Sequence, residues 1–162
     1  MSLPNLNRIT WIALAACAAL SLPAIASAQV EVKDLVEVEI DRDADALRDE
    51  IRPRIKDVDL ADTALVFTNT AGRPARVGCV AYHQTGMPIG RARLWVPGNG
   101  VKFMRASDLS NGRDFVGQVV CTTLGLFLPS AIFLGPVVEN MNVRVTDHDM
   151  ATRIRFPLVA TY

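Results

Sequence analysis

Two arginines and a tryptophan alternate along one short segment, and they are the residues with the clearest capacity for recognition chemistry. Arg91, Arg93 and Trp95 fall on one side of an extended chain, and the apolar residues between them fall on the other. Guanidinium groups hydrogen-bond to carboxylates, and an aromatic ring beside them stacks on sugars or on partner side chains. The pattern predicts a ligand-binding face for a carbohydrate, a small ligand or an acidic protein. The alternative is a solvated strand face with Trp95 half covered.

The next segment along the chain bears on the size of this face. If residues 101–106 form a strand that pairs antiparallel with residues 91–96, Lys102 and Met104 extend the same patch.

The two histidines stand in patterns that do not indicate a reaction centre. His148 lies between Asp147 and Asp149, but adjacent residues on a strand point to opposite faces, which favours a polar turn over a metal site. His83 follows a predicted strand at a turn, which is typical of a polar tip. The sequence contains no nucleophile elbow, P-loop, dinucleotide fingerprint or zinc-spaced cysteine set. We therefore predict a protein that is not an enzyme and has no cofactor or metal; an enzyme of unrecognised type is a lesser alternative.

Three alternating aspartates match the start of a calcium loop. Asp41, Asp43 and Asp45 have the spacing of the first ligands, but Ala46 replaces the glycine at the sixth position and Arg52 the glutamate at the twelfth. This favours a solvated, acidic helix start.

Cys79 and Cys121 both lie in apolar, strand-like segments. An exported protein meets an oxidising compartment, so an even pair predicts a disulfide. Closing a loop of this length would stabilise the fold by about 4 kcal/mol in the chain-entropy model. The alternative is two separate buried thiols that pack as small apolar groups.

The N-terminus has the pattern of a secretory signal. Arg8 precedes an apolar run over residues 9–25, and Ala26-Ser27-Ala28 is a small-x-small cleavage site after Ala28. Residues 1–28 are thus a predicted signal peptide, and the predicted location is periplasmic or secreted. The alternatives are a retained membrane anchor and a lipobox-like stretch that would make Cys17 the lipidated first residue.

Charge and composition divide the remaining chain in two. Removing 28 of 162 residues leaves 134, with 16 basic and 17 acidic side chains and a formal charge of −1, which does not favour nucleic acid or an anionic membrane as a partner. Residues 29–62 form an acidic segment, with a strand predicted over 36–40 and a helix over 41–55. Residues 63–162 form the main domain.

Short alternating segments separated by turn residues make up that domain. The fold class is all-β, an antiparallel β-sandwich of about seven to nine short strands with one short helix near the N-terminus of the mature chain. In the last segment Arg153 and Arg155 point outward, while Leu158 points inward with its apolar neighbours. A small outer-membrane β-barrel is a lesser alternative.

Two stretches of this domain carry less regular patterns. Residues 107–114 read as a polar loop. Residues 124–138 form the most apolar segment and are interrupted by prolines and a glycine, which indicates buried strand pieces or a subunit interface.

The middle of the chain, over about residues 63–116, contains in order Val66-Phe67-Thr68-Asn69, Gly72, Val77, Tyr82, Pro88-Ile89-Gly90-Arg91-Ala92-Arg93-Leu94-Trp95-Val96-Pro97, Arg105, Asp108-Leu109 and Asp114-Phe115. With these residues it resembles the sensory rhodopsin transducer family and its β-sandwich relatives. They are mostly turn and core residues. The resemblance implies a β-sandwich that is oligomeric and acts as a non-enzymatic interaction module. The predicted signal peptide, the acidic segment and the cysteine pair depart from the family pattern.

The patterns together predict an exported, non-enzymatic β-sandwich that acts as an interaction or assembly module, with an unknown protein partner or a second copy of itself. A carbohydrate- or small-ligand-binding domain that uses the Trp95 face is the alternative. No nucleic acid and, after signal cleavage, no membrane is expected as a partner.

Overall fold

Alternating apolar residues build ten strands, which form two packed sheets, and one short helix in the described part of this computed structural model. The described residues are 32, 35–43, 45–46, 61–135, 137–148 and 151–162. The strands are β1 (Glu37–Ile40), β2 (Asp62–Asn69), β3 (Ala75–His83), β4 (Pro88–Val96), β5 (Val101–Arg105), β6 (Phe115–Thr123), β7 (Phe127–Leu134), β8 (Val138–Met141), β9 (Arg144–His148) and β10 (Ala151–Thr161), and the helix is α1 (Ala106–Ser110). The predicted all-β, sandwich-like fold is confirmed.

The larger sheet has six strands in the order β1-β4-β3-β6-β10-β9, and the smaller has four in the order β5-β2-β7-β8. Every pairing is antiparallel except that of β1, which lies parallel to β4 at the edge of the larger sheet. This differs from the purely antiparallel arrangement that the sequence predicts. No hairpin joins β1 to β4, so no turn dictates its direction.

The core lies between the sheets and is dominated by aromatic and branched side chains. Phe67 of the smaller sheet meets Phe156 of the larger one edge to face, with ring centroids 5.8 Å apart, and also meets Phe127 at 6.5 Å. Edge-to-face geometry suits the aromatic quadrupole and adds to the free energy of burial. These rings couple the two layers.

A buried disulfide joins the two central strands of the larger sheet. Cys79 of β3 and Cys121 of β6 are directly opposite in the register, with Cα atoms 4.0 Å apart, and both side chains face the core. The predicted disulfide is confirmed. The cross-link is between neighbouring strands of one sheet and lies beneath its outer face.

Asn69 ties the end of β2 to the end of β4. Its buried amide donates to the backbone oxygens of Arg73, Val96 and Pro97 at 2.9, 3.2 and 3.0 Å, and its Oδ1 accepts from the backbone N–H of Ala71 at 3.0 Å. Buried polar groups are stable only when their hydrogen bonds are made. This network therefore holds the strand end that carries Trp95.

The structure corrects the prediction for residues 101–106. β5 crosses to the smaller sheet and pairs with β2 instead of β4, and Met104 is buried. Met104 therefore does not extend the Arg91–Arg93–Trp95 face. Lys102 forms an ion pair with Asp41 and lies near the opposite side of Trp95.

Two further local predictions are wrong. The predicted polar loop over 107–114 begins with helix α1, in which Leu109 is buried and Asn111 caps the end in the left-handed conformation. Leu158 is exposed, because a bulge between Phe156 and Val159 shifts the register and turns Val159 inward.

The acidic segment is described only in part. Glu37 and Glu39 face solvent as expected for the strand over 36–40. The predicted helix lies mostly outside the described residues; within them, Asp43 Oδ1 accepts from the backbone N–H of Ala46 at 3.0 Å, which is the geometry of an N-cap.

The predicted signal peptide, cleavage after Ala28 and the lipidation alternative at Cys17 lie outside the described residues. Where the structure describes the chain, it contains no helix with the length and apolarity that a membrane crossing requires.

Candidate functional site

Strand β4 presents Arg91, Arg93 and Trp95 on the outer face of the larger sheet. The alternate residues of β4 are buried in the core, which determines the direction of these three side chains. The Trp95 side chain is 52% exposed, and the two arginines are half-buried. The predicted orientation is correct; ligand binding by these residues stays a prediction.

The register of the sheet brings a second arginine pair onto the same face. Arg153 and Arg155 of β10 lie in the same two rows as Arg93 and Arg91, with β3 and β6 between them. The rows read Arg93–Gly78–Thr122–Arg153 and Arg91–Val80–Val120–Arg155. Each row thus begins and ends with an arginine and has small side chains in its centre.

Sheet geometry gives the dimensions of this arrangement. Residues two apart on a strand are about 6.7 Å apart, and neighbouring strands are about 4.8 Å apart, so the two arginine pairs stand about 14 Å apart across the face. Two more arginines flank them, since Arg76 lies opposite Trp95 and Arg144 lies opposite Arg155. We call this set the arginine face; its members are Arg76, Arg91, Arg93, Arg144, Arg153 and Arg155.

Few acidic groups compensate the arginine face. Arg93 alone among its members has carboxylate partners in the described part of the chain, Glu37 at 3.1 Å and Glu39 at 3.2 Å, both on β1. Arg155 donates through Nε to Gln118 at 2.7 Å. Five guanidinium groups on one sheet face therefore lack an ion-pair partner among the described residues.

Two buried donors in this set are unsatisfied. The Nε atoms of Arg91 and Arg93 have no hydrogen-bond partner within the described ranges. An unsatisfied buried donor costs about 1–3 kcal/mol.

The near-neutral formal charge of the chain conceals a strong separation of charge. Residues 63–162 contain ten basic and five acidic side chains, whereas residues 29–62 contain six basic and twelve acidic ones. Residues 63–162, which include every member of the arginine face, are thus cationic, and residues 29–62, whose strand β1 lies at the edge of the same sheet, are anionic. A field of one sign over a surface attracts ligands of the opposite sign.

A hollow of about 720 Å³ opens at one end of the arginine face. Trp95, Pro74, Leu124 and Leu126 supply much of its apolar lining, and Arg73 and Arg76 supply charge. A smaller hollow of about 340 Å³, lined by Glu39, Asp41 and Lys102 among others, lies against Trp95 as well. We call the larger one the Trp95 hollow.

Two other polar residues that the sequence singles out, His83 and Asp147, have local hydrogen-bond partners outside this face, whereas Asp149 and the side chain of His148 lie outside the described part of the chain. His83 ends β3, and its Nδ1 lies 3.2 Å from the hydroxyl of Thr85 in the following turn. Asp147 accepts from the hydroxyl of Thr152 at 2.9 Å on the neighbouring strand. The described residues contain no cluster of three or more histidine, cysteine, aspartate or glutamate side chains with the proximity that a metal site needs.

The sequence alone indicates the Arg91–Arg93 pair of the arginine face but not that the Arg153–Arg155 pair lies on the same face. Alternation in residues 152–162 showed that Arg153 and Arg155 point outward, but it carried no information on which strands lie beside them. The strand order β4-β3-β6-β10 is what places the two arginine pairs on one sheet face.

Comparisons with protein-family models, with curated proteins and with solved structures found no match to this chain. The resemblance to sensory rhodopsin transducers therefore stays a prediction.

Proposed function

We propose that this protein is an exported, non-enzymatic binding module that holds an acidic region of a partner protein on its arginine face. The observation that carries the proposal is the register that places Arg91–Arg93 and Arg153–Arg155 in two parallel rows. Arginine binds carboxylates in bidentate geometry, and clusters of arginine are a recurring means of recognising acidic motifs. The Cys79–Cys121 disulfide supports an oxidising compartment, and we propose a periplasmic or secreted location.

A protein partner agrees better with the composition of this face than a sugar does. Arginine and tryptophan are the residue types that most often dominate the energetics of protein interfaces. The floor between the arginine pairs consists of Gly78, Val80, Val120 and Thr122, so it offers a single side-chain hydroxyl for the many hydroxyl groups of a sugar.

The proposal is tested with residues 29–162 and poly-L-glutamate in a calorimetric titration at several salt concentrations. Replacing both arginines of one pair, Arg153→Gln with Arg155→Gln, should weaken binding about tenfold, because each exposed ion pair contributes up to about 1 kcal/mol. Arg113→Gln is the control, since Arg113 is exposed and lies outside the face. The affinity of the Arg113→Gln variant for poly-L-glutamate should stay within about twofold of that of the wild type.

The proposal fails if poly-L-glutamate does not bind, or if Arg113→Gln weakens binding as much as the double variant does. Binding that does not weaken with added salt would also contradict it, since ion pairs at an exposed face are screened.

The predicted oligomer follows from the same charge distribution. A second copy is itself a partner of the proposed kind, because residues 29–62 of every copy are acidic. Light scattering on residues 29–162 tests this form of the proposal. A dimer that dissociates with added salt would identify a second copy as the acidic partner, whereas a monomer at all salt concentrations would leave a different protein in that role.

A carbohydrate-binding role is the second candidate, and the exposure of Trp95 is the observation that favours it. A half-exposed indole between two hollows is a surface on which a sugar ring can stack. An oligosaccharide array distinguishes the two roles. Sugar binding that is lost in Trp95→Ala, in a protein that does not bind poly-L-glutamate, would favour the carbohydrate.

A further inference from the structure

The Trp95 hollow has the lining of a site for a bulky apolar side chain. Leu124 is 82% exposed and Leu126 is 69% exposed, and both line the hollow together with Trp95. Large apolar side chains that remain exposed together indicate an interaction site. A volume of about 720 Å³ is within the range of ordinary ligand pockets.

The hollow is continuous with the arginine face. Gly78 and Thr122, the two central residues of the Arg93–Arg153 row, also line the hollow. A Cβ atom added at Gly78 would meet nothing within 4 Å, so the space above this glycine is open. A ligand in the hollow can therefore pass over Gly78 onto the arginine face without meeting a side chain there.

The strand spacing sets the distances from the hollow to the charges. Arg76, at the hollow, is followed on β3 by Gly78 in the first arginine row and Val80 in the second. Measured along β3 from Arg76, which lies beside Trp95 in the hollow, the first row is thus about 6.7 Å away and the second about 13 Å, at 3.3–3.4 Å per residue. These distances correspond to two and four residues of extended chain.

We propose that the partner's acidic region is an extended peptide that inserts one bulky apolar side chain into the Trp95 hollow and places acidic side chains two and four residues away against the two arginine rows. An extended chain directs residues i, i+2 and i+4 to one face, so apolar-x-acid-x-acid, in either chain direction, is the recognised pattern. The apolar residue is the anchor, since a large side chain buried in a central pocket is the usual form of a hot spot. This inference rests on the proposed function and specifies the chemistry of its partner.

Three synthetic peptides with no tryptophan test the pattern. The first contains Phe-Ser-Glu-Ser-Glu, the second contains the same residues as Phe-Glu-Ser-Glu-Ser, and the third replaces phenylalanine of the first by serine; the first two are also made in reverse order. Trp95 is the only tryptophan of residues 29–162, so its fluorescence reports occupancy of the hollow. The first peptide, in one of the two directions, should bind at least fivefold more tightly than the others and shift the Trp95 emission to shorter wavelength.

A double variant in the lining of the Trp95 hollow separates the anchor from the charges. Leu124→Ser with Leu126→Ser should remove the advantage of the phenylalanine peptide while poly-L-glutamate binds as it does to the wild type. Equal binding of all the peptides, alongside intact poly-L-glutamate binding, overturns the anchor and leaves the proposed function standing. Failure of both peptides and poly-L-glutamate to bind overturns the proposed function itself.

Discussion

Removing the disulfide by Cys79→Ala with Cys121→Ala should destabilise the domain by an amount that its position in the chain determines. The two cysteines are 42 residues apart in sequence. A cross-link over that separation restricts the unfolded chain by about 4 kcal/mol in the loop-closure model. The alanines introduce no polar group into the core, so loss of the cross-link should dominate the change in the free energy of unfolding.

This loss is large relative to the stability of a typical domain, about 5–15 kcal/mol. For a chain of this size, 1 kcal/mol corresponds to about 3–4 °C in Tm, so the variant should melt about 12–16 °C below the oxidised wild type. It should still fold under mild conditions, because the buried aromatic contacts between the sheets remain.

Urea unfolding of residues 29–162, followed by far-ultraviolet circular dichroism, measures the effect. The oxidised wild type, the reduced wild type and the double variant are compared, and alkylation with mass spectrometry establishes the state of the thiols. The reduced wild type and the variant should agree within about 1 kcal/mol, since both lack the cross-link. A variant within about 1 kcal/mol of the oxidised protein would refute the reasoning, because the cross-link would then not restrict the unfolded chain.

Two further substitutions test features that position the site. Asn69→Ala removes the donor to three backbone oxygens and should lower the free energy of unfolding by about 3 kcal/mol. The exposed control Asn140→Ala should change the free energy of unfolding by less than about 0.5 kcal/mol. Equal effects of the two substitutions in urea unfolding would contradict the role of the network. Glu37→Gln with Glu39→Gln releases Arg93 from its carboxylate partners. The double variant should bind poly-L-glutamate about two- to fivefold more tightly in the same calorimetric titration. Weaker binding would show that the two glutamates of β1 support the arginine face and do not compete with the ligand for Arg93.

The strands themselves could be predicted because alternation is a local signal. The segment from Arg91 to Val96 shows which of its side chains face the core without reference to any other part of the chain. The cysteine pair likewise depended on composition and compartment. The pairing of strands could not be predicted, because Arg153 and Arg155 come some 60 residues after Arg91 and Arg93 and no local pattern states that they share a sheet.

The wrong predictions have local physical causes. The turn after Val96 has the composition of a hairpin turn, but it leads β5 into the smaller sheet, where β5 pairs with β2. Pro157 lacks an N–H group and lies within the bulge of β10, which moves Leu158 to the exterior. Helix α1 has five residues, fewer than the two turns over which an apolar period becomes visible.

The disulfide lies on the reverse side of the strands that form the floor of the arginine face. Cys79 stands between Gly78 and Val80, and Cys121 stands between Val120 and Thr122, so the covalent link holds the two floor strands at a constant separation. A rigid receptor loses little conformational entropy on binding, and the ordering would fall mainly on the peptide. Preorganised cyclic peptides with the recognised pattern should therefore bind more tightly than linear ones, and reduction of the receptor should diminish that advantage.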